Sequence, residues 1–136
     1  MDNPVPMPRV AIIDDDPIVA DTLAEILKLH GYEAKTHYND ESALADAQQF
    51  CPQVILSDVC MGKIDGIETA LRIREYHPEC RIILFTASPL SSDIYRRIDD
   101  LGFESLRRPL HPWDVLVLLR AENENRAPCS EPGSTK

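Results

Sequence analysis

Five short strand-like segments, each followed by a segment of helical pattern, constrain the fold of this 136-residue chain more than any other feature. Three of the five are strongly apolar and rich in β-branched residues, which predicts strands buried on both faces. Strict alternation of strand and helix predicts one parallel sheet with helices on both of its faces. The predicted strands span residues 9–13, 33–38, 53–57, 81–85 and 103–106.

The first helix has clear signals at both ends. Asp16 followed by Pro17 predicts an N-cap and a first turn, and Gly31 predicts the C-terminal end. The residues expected along its buried stripe are Val19, Leu23, Ile26, Leu27 and His30. The other helices are predicted from Asn39 or Asp40 to just before Pro52, and over residues 67–76, 91–101 and 112–122.

The length of the chain fits a single domain with one core. We expect that domain to span residues 9–122. Residues 1–8 carry three prolines and are expected to form a flexible lead-in. Residues 123–136 are polar, contain proline and glycine, and are expected to be a disordered tail with no second domain after it.

Charge and composition argue against several classes of function. Asp plus Glu number 23 against 14 for Lys plus Arg, a formal net charge of −9, which argues against direct binding of nucleic acid or anionic lipid. The sequence shows neither signal-peptide features nor a run of the roughly 18–20 apolar residues that a membrane span needs. The four cysteines form no C-x-x-C pair, so free thiols in a reducing cytoplasm are expected.

Chemically active side chains follow four of the five predicted strands. In an open parallel sheet, ligands bind beyond the carboxyl ends of the strands. The residues that follow the strands are Asp14 and Asp15 after the first, Asp58 after the third, Thr86 and Ala87 after the fourth, and Arg108 after the fifth. The predicted fold therefore brings three carboxylates, a hydroxyl and a cation to one edge.

This set of groups favours phosphoryl transfer to a carboxylate. Three neighbouring carboxylates repel one another unless they are protonated or bind a cation, and oxygen ligands suit Mg²⁺ or Mn²⁺. A carboxylate can then attack phosphorus while a hydroxyl and a guanidinium hold phosphoryl oxygens.

Four motifs in this order and spacing resemble the response-regulator receiver domain of two-component signalling. They are VAIIDDDP, ILSDVCMGKIDG, IILFTAS and the RRP before the last helix. The resemblance covers residues 9–122 and implies a doubly wound, flavodoxin-like (βα)5 fold with a five-stranded parallel sheet. It implies a signalling module rather than an enzyme, with Mg²⁺ or Mn²⁺ as cofactor.

The resemblance also implies a role for each site residue. Asp58 would be the phospho-acceptor and a metal ligand, with Asp14 and Asp15 as the acidic pair and the backbone carbonyl of Cys60 as a further ligand. The phosphoryl contacts would be the Thr86 hydroxyl, the Arg108 side chain and the backbone N–H groups of Met61 and Ala87.

Three positions depart from the family pattern. Arg108 stands where lysine is usual, Ser105 where an aromatic residue is usual, and Gly62 where proline is common. Ser105 cannot complete the usual Thr/aromatic switch. One alternative is therefore a pseudo-receiver, the same fold used as a phosphorylation-independent interaction module. A second alternative is an aspartate-nucleophile phosphatase, suggested by the acid-x-acid run at residues 14–16.

The partners expected from this interpretation are proteins. A histidine kinase or a histidine phosphotransfer protein would supply the phosphoryl group, and an unknown downstream protein would receive the signal. We expect a monomer or weak dimer in the cytoplasm.

Overall fold

The computed structural model describes residues 8–59, 66–86, 92–107 and 111–125, and these ranges contain five strands and five helices in strict alternation. The strands are β1 Arg9–Ile13, β2 Glu33–His37, β3 Val54–Asp58, β4 Arg81–Thr86 and β5 Glu104–Arg107. The helices are α1 Pro17–Leu29, α2 Asp40–Phe50, α3 Gly66–Tyr76, α4 Ser92–Asp100 and α5 Pro112–Asn125. Every predicted element is present, and its bounds differ from the prediction by three residues at most.

The strands form one sheet in the order β2-β1-β3-β4-β5, and every neighbouring pair is parallel. Because β1 lies between β2 and β3, the chain reverses its direction of winding after β2. The carboxyl ends of β1 and β3 are therefore adjacent, with Ile13 paired to Ser57. The prediction of a doubly wound parallel sheet is confirmed.

Alternate residues of the strands pack into two cores, one on each face of the sheet. Val10 and Ile12 of β1 contact the core formed with α1 and α5. Ala11 and Ile13 of the same strand contact the core formed with α2, α3 and α4. Burial of one large aliphatic side chain contributes about 1.5–3 kcal/mol, so a strand buried on both faces is held firmly in place.

Helix α1 begins as the sequence predicts. Asp16 is its N-cap, its side chain accepts the Ile18 N–H at 3.0 Å, and Pro17 occupies the first turn. Gly31 follows the helix with a φ of 95°, a left-handed conformation that costs glycine little. The inward position predicted for His30 is wrong: the residue is exposed, and its Nδ1 lies 2.9 Å from the Ile26 carbonyl oxygen.

Within the described ranges, none of the helices has the length and apolarity that crossing a bilayer requires.

Candidate functional site

An acidic cluster lies at the carboxyl edge of the sheet. Asp14 and Asp15 follow β1, and Asp58 is the last residue of the adjacent β3. One carboxylate oxygen from each residue lies within 4.8 Å of the other two. The structure therefore brings together the three carboxylates that the sequence placed at strand ends.

The three carboxylates differ in exposure to solvent. Asp14 is 1% exposed, Asp58 is partly buried and Asp15 is exposed. The backbone N–H of Asp14 donates to the His37 carbonyl oxygen at 3.0 Å. Its Oδ1 accepts the backbone N–H of Asp16 at 2.9 Å. Hydrogen bonds to the last residue of β2 and to the N-cap residue of α1 thus fix Asp14, whereas Asp15 faces solvent.

Asp58 is held by its position in the sheet and by the start of α3. It pairs with Phe85 of β4, and the N–H of the next residue, Val59, donates to the Phe85 carbonyl oxygen at 3.1 Å. The Ser57 hydroxyl donates to the Asp58 carbonyl oxygen at 3.1 Å. The N–H of Gly66 donates to the Val59 carbonyl oxygen at 2.7 Å. The segments that precede residue 60 and follow residue 65 therefore meet beside Asp58.

The chemistry of this cluster fits a hard divalent cation. Three carboxylates at these separations repel one another, and burial of Asp14 weakens the screening of that repulsion by water. Every ligand atom that the cluster offers is a carboxylate oxygen, the ligand type that Mg²⁺ and Mn²⁺ prefer.

Of the five remaining predicted site residues, the structure describes Thr86. Thr86 is the last residue of β4, at the same edge of the sheet as Asp58, and pairs with Arg107. The other four predicted residues lie outside the described residues: Cys60, Met61, Ala87 and Arg108. Ser105 is exposed on β5, so the position that departs from the resembled pattern has a small side chain facing solvent.

The sequence interpretation missed a polar network at the carboxyl end of β2. The His37 ring is 5% exposed, with Nδ1 2.8 Å from the Ser42 hydroxyl and Nε2 3.6 Å from Asp46 Oδ2. Asp46 Oδ1 also pairs with the Lys35 ammonium at 3.0 Å. Burial lowers the pKa of His37, Asp46 raises it by a smaller amount, and Lys35 lowers it further. Apart from a histidine at a strand end, no sequence signal pointed to this network.

Comparison with known proteins gives the family. Residues 10–119 match the response regulator receiver domain, and the chain belongs to that family. It is therefore a receiver domain of two-component response regulators, a phospho-accepting signalling module, as the four motifs predicted.

Individual relatives agree with this assignment. The DNA-binding dual master transcriptional regulator RpaA of Synechocystis is 29% identical over 117 residues, which are 85% of this chain and 48% of that protein. The chain spans about half the length of the curated relatives it matches.

Two solved structures show the same fold. The chemotaxis protein CheY4 of Vibrio cholerae superposes with a TM-score of 0.77 at 26% identity, covering 85% of this chain and 98% of that one. The BeF3-activated receiver domain of DrrB, from Thermotoga maritima, gives a TM-score of 0.76 at 25% identity, covering 88% and 99%.

Proposed function

We propose that Asp58 is the residue that accepts the phosphoryl group in this receiver. The observation that carries the proposal is the approach of carboxylate oxygens of Asp14, Asp15 and Asp58 to within 4.8 Å. Asp58 is partly buried and is the last residue of β3, so it lies at the carboxyl edge of the sheet, where open parallel sheets bind their ligands.

The donor in this proposal is a phosphohistidine of a histidine kinase or a histidine phosphotransfer protein. A carboxylate oxygen of Asp58 attacks phosphorus, an O–P bond forms, the P–N bond to the imidazole breaks, and the freed imidazole nitrogen takes up a proton. The product is an acyl phosphate on Asp58. Positioning and electrostatics carry most of such a transfer, because the protein supplies little covalent chemistry beyond the nucleophile.

Asp14, Asp15 and Asp58, together with the backbone carbonyl of Cys60, would hold Mg²⁺ or Mn²⁺. When bound, such a cation screens the negative charge that otherwise separates a carboxylate from a phosphoryl group. Buried Asp14 is fixed by its hydrogen bonds to His37 and Asp16, which supports its part as a ligand that is already in position before the cation binds.

The product would be held by groups at or after the ends of β4 and β5 and by a backbone group that follows β3 in the sequence. The Thr86 hydroxyl, the Arg108 guanidinium and the N–H groups of Met61 and Ala87 are proposed to contact the phosphoryl oxygens. The place of Thr86 at the end of β4, next to β3, supports its part. Arginine at 108 keeps the positive charge of the usual lysine but presents it as a broad planar group.

The signal would leave this domain through contact with a downstream protein whose identity is unknown. The excess of acidic over basic residues opposes direct nucleic-acid binding by these 136 residues. We propose a monomer or weak dimer that acts in the cytoplasm. Phosphorylation would shift an equilibrium between two conformations of the domain.

Labelling with acetyl phosphate and with beryllofluoride tests Asp58 directly. The wild type should take one label per chain in the presence of Mg²⁺, and chelation of the metal should prevent labelling. Asp58→Asn should take none. Asp16→Asn is the matched control, because it removes the same charge nearby and asparagine still caps a helix. Labelling that persists in Asp58→Asn would place the acceptor elsewhere.

The exposed Ser105 favours a second candidate, a pseudo-receiver that binds partners without phosphorylation. A folded wild type that takes no label from either reagent would support it. The phosphatase alternative predicts a different result: turnover of a phosphate ester that Asp14→Asn abolishes and Asp58→Asn leaves intact.

A further inference from the structure

The peptide that joins Asp58 to Val59 is contacted from several directions. The Ser57 hydroxyl donates to its carbonyl oxygen, and its N–H, which belongs to Val59, donates to Phe85 of β4. The N–H of Gly66 then donates to the next carbonyl oxygen, that of Val59, at 2.7 Å. The backbone around the proposed acceptor is therefore tied to both β4 and the first residue of α3.

Gly66 approaches this peptide more closely than any other residue type could. A Cβ built on Gly66 would overlap the Asp58 carbonyl oxygen, and it would lie 2.9 Å from the Asp58 carbonyl carbon and 3.0 Å from Val59 Cα. Real Cβ atoms essentially never lie under 3.0 Å from such atoms. Gly66 is not among the described glycines with positive φ, so close contact and not backbone conformation requires glycine here.

We propose that Gly66 is a positioning residue for Asp58. Its bare Cα allows α3 to begin directly against the acceptor peptide, and this contact keeps the Asp58 carboxylate beside Asp14 and Asp15. Ser57 fixes the same carbonyl oxygen by its hydrogen bond. The inference rests on the proposed role of Asp58 as acceptor and adds the residue that sets its orientation.

A methyl group added at Gly66 should displace the peptide at the end of β3 and not the strand as a whole. Strand β3 lies between β1 and β4, and its apolar residues are buried on both faces, so the strand as a whole resists displacement. The peptide at the end of β3 must rotate or shift instead. Its carboxylate moves with it, and a misplacement of about 1 Å can reduce a reaction rate on the order of a hundredfold.

Gly66→Ala is the test, and Gly102→Ala is its matched control. Gly102 has a φ of +77° and nothing within 4 Å of a Cβ built on it, so alanine there strains the backbone without touching the acidic cluster. Both variants should be less stable than the wild type. Three quantities are compared at a temperature where both are folded: the Mg²⁺ dissociation constant by calorimetry, the rate of labelling by acetyl phosphate, and hydrogen exchange at the Val59 amide.

Gly66→Ala should weaken Mg²⁺ binding about tenfold or more, slow labelling by about tenfold to a hundredfold, and speed exchange at Val59. Gly102→Ala should match the wild type in Mg²⁺ affinity and labelling rate, and its exchange at Val59 should rise only by the factor that its loss of global stability sets. A folded Gly66→Ala with wild-type Mg²⁺ affinity and labelling rate would overturn the proposal.

A second variant applies where Gly66→Ala does not fold. Ser57→Ala removes the hydroxyl that bonds the Asp58 carbonyl oxygen and adds no atoms, and it should weaken Mg²⁺ binding about tenfold. Ser57 and Gly66 both contact the Asp58 carbonyl oxygen. An unchanged Mg²⁺ affinity in Ser57→Ala would then show that the orientation of this peptide does not set the position of the carboxylate, which overturns the proposal. A wild type that takes no label refutes the acceptor role of Asp58 separately, and Mg²⁺ affinity still decides whether Gly66 positions the carboxylate.

Discussion

Arg81 and Glu104 are joined by two short hydrogen bonds, Nε to Oε2 at 2.6 Å and Nη2 to Oε1 at 2.7 Å. The Arg81 side chain is 4% exposed and that of Glu104 is 35% exposed. Nη2 also donates to the Leu118 carbonyl oxygen at 3.2 Å. One guanidinium therefore links the amino ends of β4 and β5 to α5, at the edge of the sheet opposite the acidic cluster.

Removing the acidic partner of this pair should destabilise the fold. Glu104→Ala leaves a buried guanidinium without its carboxylate, which is costly for a fully buried pair. Because Glu104 is about one-third exposed, the expected loss in free energy of unfolding is about 2 kcal/mol rather than the full cost. Urea denaturation at neutral pH measures it.

A second variant and a surface pair provide the controls for that measurement. The double variant Arg81→Met with Glu104→Leu removes both charges. Its loss in free energy of unfolding should be smaller than the sum of the losses in the single variants Arg81→Met and Glu104→Leu. Arg72→Ala breaks the exposed Arg72–Glu68 pair and should cost only about 0.5 kcal/mol or less. Equal losses in Glu104→Ala and Arg72→Ala would show that burial of Arg81 has no energetic weight.

Asp16 should act on the stability of α1 and not on phosphorylation, although it stands next to two site residues. Its side chain caps the helix through the Ile18 N–H, while its own N–H holds Asp14 Oδ1. Asp16→Ala should therefore lower the free energy of unfolding by about 1 kcal/mol. Because the N–H remains, acetyl phosphate should label the variant at the wild-type rate. A large loss of labelling in the folded variant would make Asp16 part of the site.

Metal binding should appear as a gain in stability that depends on Asp58. A ligand that binds the folded state stabilises it by about 2.7 kcal/mol when its free concentration is roughly a hundred times its dissociation constant. Without Mg²⁺, Asp58→Asn should unfold at a higher temperature than the wild type, because one of three repelling carboxylates is gone. Mg²⁺ should then raise the unfolding temperature of the wild type and leave that of Asp58→Asn nearly unchanged. Thermal unfolding over a Mg²⁺ titration, with Ca²⁺ as a size control, gives both quantities.

The sequence predicted the sheet and the acidic edge because both depend on local, repetitive signals. Short β-branched runs alternate with capped helices, and parallel strands bring their carboxyl ends to one edge, so Asp14, Asp15 and Asp58 had to lie near one another. The Asp16 cap and the Gly31 end of α1 were readable for the same reason: each is set by residues within one turn.

Interactions between distant segments were not predictable in this way. Arg81 and Glu104 are 23 residues apart, and neither lies in a motif that indicates a pair. The same holds for His37 and Asp46, whose approach depends on how α2 packs against β2. His30 was wrongly predicted to lie on the buried face of α1, because the prediction followed the spacing of large side chains. Two small residues, Ala20 and Ala24, complete that face instead. The need for glycine at 66 arises from a tertiary contact with Asp58 and leaves no local signal.

The buried network around His37 should make stability depend on pH near neutrality. Burial lowers the pKa of His37 in the folded protein, while the unfolded chain keeps the ordinary value of about 6.5. Between the folded pKa and about 6.5, the unfolded chain binds a proton that the folded protein does not. The stabilising contribution of neutral His37 is therefore fully present above about pH 6.5 and is lost as the pH falls below it.

His37→Asn removes the titrating ring and retains an amide that can bond the Ser42 hydroxyl. Its free energy of unfolding should change less between about pH 7.5 and 5.5 than that of the wild type, as measured by urea denaturation at each pH. His30→Asn, which removes an exposed histidine, is the control and should keep the pH dependence that His37 confers. Because the His37 carbonyl accepts the Asp14 N–H, Mg²⁺ is omitted so that metal binding does not contribute to the slope. Equal slopes in His37→Asn and wild type would mean that His37 does not titrate on unfolding in this range.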